Sequence, residues 1–408
     1  MAKANPDRAL KDLYELRKIG AYKTGVHRPT LSPEDMEARQ WLANKLQAIG
    51  HDTVIDGIAN VVGQANAPGP YVLGGSHLES QNHAGWLDGA LGVVYALEAA
   101  RAVAEASDVQ GGVDVIAFAD EEGHFSGSFL GSKSFTGVLT EENMDAAVDR
   151  SGRGTLRHCL AEAGLAGRPR LQMDPNRYAA FFEAHIEQGD RLETAGQSIG
   201  IVTSIVAIWQ YRITFAGQQN HAGTTTMVSR KDAGKAMMNL WHRIEDAFPR
   251  IAGPFSVWTV GRVNLEPGGP SIIPGRAEMI FQFRDAEMDT LERMHTCLEQ
   301  LVTDVAAAGP CTAELEILGQ LKPALMAPGP QNAIIEAAKT LTPNDYAIMP
   351  SGAAHDAQVM AAHIPSAMMF VPSINGISHH WSENTSDEHI KRGAEVYVDA
   401  VARVLRAT

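Results

Sequence analysis

The sequence predicts an α/β protein made of two domains, one interrupted by the other. Three observations predict it. Short apolar runs alternate with helix-period patterns over the first half of the chain, as in a sheet joined by crossover helices. That alternation breaks near Trp209, where a strict in–out pattern opens a β-α-β-β-α-β succession, the order of a ferredoxin-like α+β sandwich. It resumes after about Met326. Residues 1–208 and 328–408 therefore read as one discontinuous domain with a mostly parallel central sheet and helices on both faces, and residues 209–327 as a smaller inserted domain.

The elements follow from local chemistry. Residues 6–19 read as an amphipathic helix. Ser32-Pro33-Glu34-Asp35 opens another, with Ser32 as N-cap, Pro33 at the first helical position and two acids favoured by the dipole; it should stop at Gly50. Residues 71–76 and 113–119 are apolar enough for buried strands, and residues 89–106 between them carry Leu91, Val94, Leu97 and Val103 at roughly helical spacing. The insert reads as strands at 209–215, 255–264, 276–284 and 312–318 with helices at 230–248 and 286–307. The closing segment reads as helix 332–340, strand 366–371 and helix 389–406.

Composition narrows the function. The chain has 408 residues, 45% of them hydrophobic, enough for two cores. With 34 basic against 48 acidic residues the net charge is −14, which argues against a nucleic-acid partner and an anionic membrane surface. Cys159, Cys297 and Cys311 are too scattered for a disulfide framework or a paired metal motif and suit a reducing compartment. No run approaches the roughly 18 apolar residues of a membrane span, and the first residues lack a signal-peptide core. The expectation is a cytoplasmic protein acting on a small molecule.

Four segments carry the chemistry, each just past an apolar run, where the carboxyl ends of parallel strands gather functional groups. The first is Gly75-Ser76-His77-Leu78-Glu79-Ser80 followed by Trp86-Leu87-Asp88-Gly89. His77 and Asp88 can share a metal there, or serve as a hydrogen-bonded histidine and a helix N-cap. The second is Asp120-Glu121-Glu122. Adjacent carboxylates repel unless something positive neutralises them, and neighbouring side chains point in different directions, so Glu121 and Glu122 can divide proton handling from ligation; a solvated acidic loop is the plainer alternative. The third, Glu183-Ala184-His185-Ile186-Glu187-Gln188, and the fourth, Ser378-His379-His380-Trp381-Ser382-Glu383, again bring histidine close to carboxylates. Singly each fits a structural histidine. Together they supply enough donors for two metals sharing a carboxylate.

These segments, with NHAGTTTM from Asn220 and SGAAHDA from Ser351, occur in an order that resembles the di-zinc metallopeptidase/aminoacylase superfamily, and within it the hydantoinase/carbamoylase subgroup of N-carbamoyl-L-amino-acid hydrolases, β-ureidopropionases and allantoate or ureidoglycolate amidohydrolases. The resemblance spans roughly residues 20–400. It implies that the discontinuous domain is catalytic and that the insert is a lid and dimerisation domain. It implies two divalent metal ions per subunit, with zinc foremost and manganese, cobalt or nickel as alternatives. His77 and His185 would hold one ion, Glu122 and His379 the other, and Asp88 would bridge them. Glu121 would be the general base, working on a hydroxide shared by the ions. His221 would donate to the oxyanion from the partner subunit of a homodimer. Arg284 would clamp a substrate carboxylate, with Gln188, Asn264 and the backbone at Gly352 as further substrate contacts. His355 and Asp356 read as supporting residues.

The implied activity is hydrolysis of the C–N bond of an N-carbamoyl amino acid or related ureido carboxylate. An N-acyl-amino-acid hydrolase with the same metals is the alternative, and a non-catalytic binding protein on this scaffold is a third reading. Two departures from the subgroup pattern bear on this. Glu79 stands where relatives carry an Asp that orients the first histidine, and Ser271 stands where relatives carry a substrate-contacting Asn. His380 stands where Asn or Ser is usual.

Overall fold

A computed structural model describes residues 2–408. The chain divides into two compact units, one running to Thr203 and resuming over Leu325–Thr408, the other Ser204–Ala324. The Asn5 side chain accepts from the Arg8 N–H to start α1 (Pro6–Leu16), and Ser32 accepts from the Asp35 N–H to start α2 (Pro33–Ala48). Then follow β1 (Asp52–Ile55), β2 (Val61–Gln64), β3 (Tyr71–His77), α3 (Ala90–Ala104), β4 (Gly112–Phe118), α4 (Leu130–Phe135), β5 (Tyr178–Ile186) and β6 (Ile199–Ile205). The second unit supplies β7 (Ala207–Ala216), α5 (Ala233–Ala247), β8 (Val257–Glu266), β9 (Arg276–Asp285), α6 (Met288–Ala307) and β10 (Thr312–Gln320). The chain closes with β11 (Ala324–Leu325), α7 (Pro328–Leu341), β12 (Tyr346–Ser351), α8 (Asp356–Met360), β13 (Ser366–Val371) and α9 (Asp387–Ala407).

The larger unit is organised on a nine-stranded sheet in the order β11-β6-β13-β5-β3-β4-β2-β1, with β12 also on β6. Its central pairings, β13–β5, β5–β3 and β3–β4, are parallel. β6 joins β13, β2 joins β4 and β1 joins β2 antiparallel. The sheet is thus parallel in its middle and antiparallel at its flanks. The apolar runs that mark buried strands carry no information about the direction of the shorter flanking ones.

The period of two along each central strand separates the faces. Val113, Val115 and Ala117 of β4, Ala180, Phe182 and Ala184 of β5, and Ala367, Met369 and Val371 of β13 join the main core with α3 and α9. The alternate residues face the other way, where Phe118 meets Phe135 of α4 and Phe181 edge-on. On β5 that same alternation puts Glu183 and His185 opposite the main core. Because the four central strands run in parallel, their carboxyl ends lie along one edge of the sheet.

The smaller unit has a four-stranded antiparallel sheet in the order β8-β9-β7-β10, which is the ferredoxin-like arrangement of its β-α-β-β-α-β succession. One face packs Tyr211, Ile213, Phe215, Met279, Phe281 and Phe283 against α5 and α6. A short pairing of Asn220–His221 with Ile272–Ile273, not legible from local periodicity, ties the histidine loop to the Ser271 segment.

Phe281 is fully buried among Phe248 and Phe283. Phe281→Ala should destabilise the smaller unit by about 3–5 kcal/mol, seen in urea unfolding as an earlier transition that leaves the larger unit's transition in place.

Candidate metal centre

His77 is the last residue of β3, His185 lies one residue before the end of β5, and Glu121 and Glu122 follow β4. His379 comes from the loop after β13, at a left-handed φ of 54°. Asp88 is delivered by the turn into α3. That turn needs Gly89, whose φ is +68° and where a Cβ would lie 2.4 Å from the His77 ring.

Asp88 is the meeting point. Its Oδ1 lies 2.9 Å from His185 Nε2 and 3.5 Å from His77 Nε2, and its Oδ2 lies 3.4 Å from His379 Nε2. Glu122 Oε2 is 3.6 Å from His379 Nε2, and Glu121 Oε2 is 3.6 Å from His77 Nε2. Two groups result whose donor atoms lie within 4.8 Å of one another: His77, Asp88 and His185, and Asp88, Glu122 and His379. Consecutive glutamates thus face different histidines.

Hydrogen bonding fixes the imidazoles. A carbonyl can only accept, so His77 Nδ1, 3.0 Å from Glu79 O, and His185 Nδ1, 2.9 Å from Ile186 O, both carry hydrogen. Their Nε2 atoms are thereby turned on Asp88. His185 Nε2 also accepts from the Gly89 N–H at 3.2 Å, while buried His77 Nε2 has no hydrogen-bond partner. A ring lone pair facing a carboxylate oxygen in a buried site requires a cation between them, whether a proton or a metal. Nitrogen and oxygen donors of this kind suit zinc and its divalent neighbours, so the residues fit a divalent-metal site.

The protein's own charges agree. Burial would raise the Asp88 carboxyl, but the three histidines hold it well below its ordinary range. Burial lowers and Glu121 and Asp88 raise the His77 imidazole, with a net rise well above the usual value. His379 is drawn up to about 9 by its contact with Asp88. Glu122 is pushed up to about 7 by burial and by Asp88, and burial pushes Glu121 well above the carboxylate range. Protons crowd where cations would otherwise balance charge.

A supporting layer surrounds these groups. Gln188 donates through Nε2 to Asp88 Oδ2 and Ser378 Oγ, both at 3.1 Å. Glu383 accepts from the Asp88 N–H at 3.3 Å and from Ser378 Oγ at 2.9 Å. Gln81 donates through its N–H to Glu122 Oε1 at 3.1 Å and through Nε2 to Oε2 at 3.0 Å. The His355 ring lies 4.5 Å from the His185 ring, tilted 59° to it, and shares a hydrogen bond of 2.9 Å with Ser351 Oγ. The Glu79 carboxylate is not on His77, whose partner is the Glu79 carbonyl. It bonds the Glu121 N–H at 2.7 Å and Arg39 at 2.6 Å instead. Gln81, Arg39 and the role of Glu383 escape a reading of strand-end motifs. The signal for Arg39 was its place with Asp35, Leu42 and Leu46 on the buried stripe of α2.

Four residues singled out in the sequence belong to the smaller unit. His221 is exposed, and its Nδ1 accepts from the Gly223 and Thr224 N–H groups at 3.0 and 3.2 Å, which leaves the ring hydrogen on Nε2. Ser271 accepts from the Ala222 N–H at 2.9 Å, beside that histidine. Arg284 on β9 is half-buried, which lowers its guanidinium pKa, and Asn264 on β8 is exposed. Gly352 is exposed in the larger unit just after β12.

Fold and site together place a donor set that fits divalent metal at the carboxyl edge of an α/β sheet. The chain belongs to the Peptidase family M20/M25/M40, whose model matches residues 73–403. It is 33% identical to an N-carbamoyl-L-amino-acid amidohydrolase of Paenarthrobacter aurescens over 100% of this chain and 99% of that protein. It is 32% identical to an allantoate amidohydrolase of Escherichia coli (strain K12) over 91% of each. A crystal structure of an amidase of the hydantoinase/carbamoylase family from Burkholderia phymatum matches with a TM-score of 0.92 and 45% identity, covering 99% of this chain and 98% of that one. No helix among the described residues is long and apolar enough to cross a membrane.

Two outcomes test the centre. Metal must displace protons from His379, held at about 9, and from Glu122, held at about 7. Divalent-metal affinity of the metal-free protein should therefore rise as pH climbs through that window, with proton release visible by calorimetry in buffers of different ionisation enthalpy; a pH-independent affinity would contradict the assignment. Gly89→Ala should cut metal affinity by roughly 10–100-fold by displacing the His77 ring, read as metal retained after dialysis.

Proposed function

We propose that this protein is a binuclear-metal amidohydrolase that cleaves the C–N bond of an N-carbamoyl amino acid or a related ureido carboxylate. The observation that carries the reading is Asp88 shared by two histidine-bearing donor groups, with Glu121 against His77. His77, Asp88 and His185 would hold one divalent ion and Asp88, Glu122 and His379 a second; zinc suits this set best, with manganese, cobalt and nickel as alternatives. Ions so held acidify water and polarise the carbonyl under attack.

The chain's residues supply the rest. Glu121, its carboxylate 3.6 Å from His77 Nε2, takes the proton of the attacking water and returns it to the leaving nitrogen. His221 donates from Nε2–H to the oxyanion, the tautomer set by its two backbone donors. The Arg284 fork takes the substrate carboxylate, with Gln188, Asn264 and the Gly352 backbone completing the contacts. The reading includes a homodimer in the cytoplasm, in which His221 comes from the second copy's smaller domain. Hydrolysis of a carbamoyl group yields the amine and carbamate, which breaks down to ammonia and carbon dioxide. Ser271, in place of the subgroup's Asn beside His221, favours testing the N-acyl alternative directly.

Metal-supplemented protein should release ammonia from a panel of N-carbamoyl amino acids and ureido acids faster than it hydrolyses N-acyl amino acids or dipeptides. Glu121→Gln should lower kcat by about 10²–10⁴-fold with metal content unchanged. A variant that keeps near-normal turnover would remove Glu121 from its role, and preference for N-acyl substrates would move the protein to the other class.

A further inference from the structure

Arg39 is wholly buried on α2, and all three of its guanidinium nitrogens donate hydrogen bonds. Nε donates to Asp35 Oδ2 at 3.0 Å and Nη2 to Glu79 Oε2 at 2.6 Å. Nη1 donates to the carbonyls of Ala59 at 2.8 Å and Phe118 at 3.1 Å. Phe118 is the last residue of β4, three before Glu121. The other oxygen of the Glu79 carboxylate accepts the Glu121 N–H at 2.7 Å, and the Glu79 carbonyl accepts His77 Nδ1. Both members of the Arg39–Glu79 pair are 0% exposed. Taking two charges out of water costs several kcal/mol each, so such a pair persists only with good geometry and further hydrogen bonds. Here those bonds run to the strand end and to the amide that carries Glu121.

We propose that Arg39 and Glu79 are positioning residues: a rigid buried relay from α2 that sets the backbone, and so the carboxylate reach, of Glu121. This rests on Glu121 being the general base. The Glu79 side chain spans Arg39 and the Glu121 N–H, with one carboxylate oxygen on each. An aspartate keeps the charge and cannot reach both. A base displaced by a fraction of an ångström loses rate while substrate binding elsewhere is untouched.

The test uses the metal-loaded protein and its Glu79→Asp variant. Amide hydrogen exchange is followed residue by residue around Glu121, alongside kcat, KM and metal content. The relay predicts exchange at the Glu121 amide faster by roughly tenfold or more and kcat lower by a similar factor, with KM and metal content unchanged. Arg39→Lys, which keeps the charge but loses the fork, should give the same signature; if it does not fold, Glu79→Asp decides alone. Unchanged exchange at Glu121 would overturn the relay, as would accelerated exchange with normal kcat where Glu121→Gln has lost turnover. A fall in kcat accompanied by metal loss would also overturn it, placing Glu79 in support of His77 instead. Glu121→Gln separates the two claims: normal turnover there would sink the reading of the base, while the exchange measurement still decides the relay.

Discussion

One carboxylate organises this molecule. Asp88 is buried among three imidazoles: one oxygen faces His77 and His185, whose rings are oriented from behind by backbone carbonyls, and the other faces His379. Such an arrangement is stable only if positive charge sits within it. Everything else follows from the need to hold those groups at close quarters: parallel strands that end along one edge, a glycine that lets the chain turn against the His77 ring, and loops whose polar side chains are tied to one another.

The surroundings show how the protein carries so much buried charge. Glu383 is pushed up to about 8 by burial and by Asp88, and accepts from the Asp88 N–H, so it supports Asp88 without adding a full negative charge at neutral pH. The Gln188 amide donates into the same cluster. Glu79 is offset by Arg39 from a different layer of the fold. Each device lowers repulsion among the carboxylates and leaves the ring nitrogens aimed inward.

Much of this was legible in the sequence, and the limits have physical causes. The candidate segments could be named because each lies just past an apolar run, where an α/β sheet presents chemistry, and the choice of donors within them came from the family resemblance. The ferredoxin-like succession could be read because its strands are half-exposed and alternate cleanly. The antiparallel flanks could not, because the directions of β2 and β6 are set by pairing with β4 and β13, far away in sequence. The destination of the Glu79 carboxylate was equally hidden. It depends on Arg39, forty residues earlier on a helix whose charged core positions look, in one dimension, like surface. The pairing of the His221 loop with the Ser271 segment was beyond reach for the same reason.

Anomalous diffraction at the metal absorption edge, on crystals of protein loaded with zinc, tests the central claim most directly. The account predicts two peaks per subunit flanking the Asp88 carboxylate, one against His77 and His185 and one against Glu122 and His379. A single peak away from Asp88, or none, would contradict it.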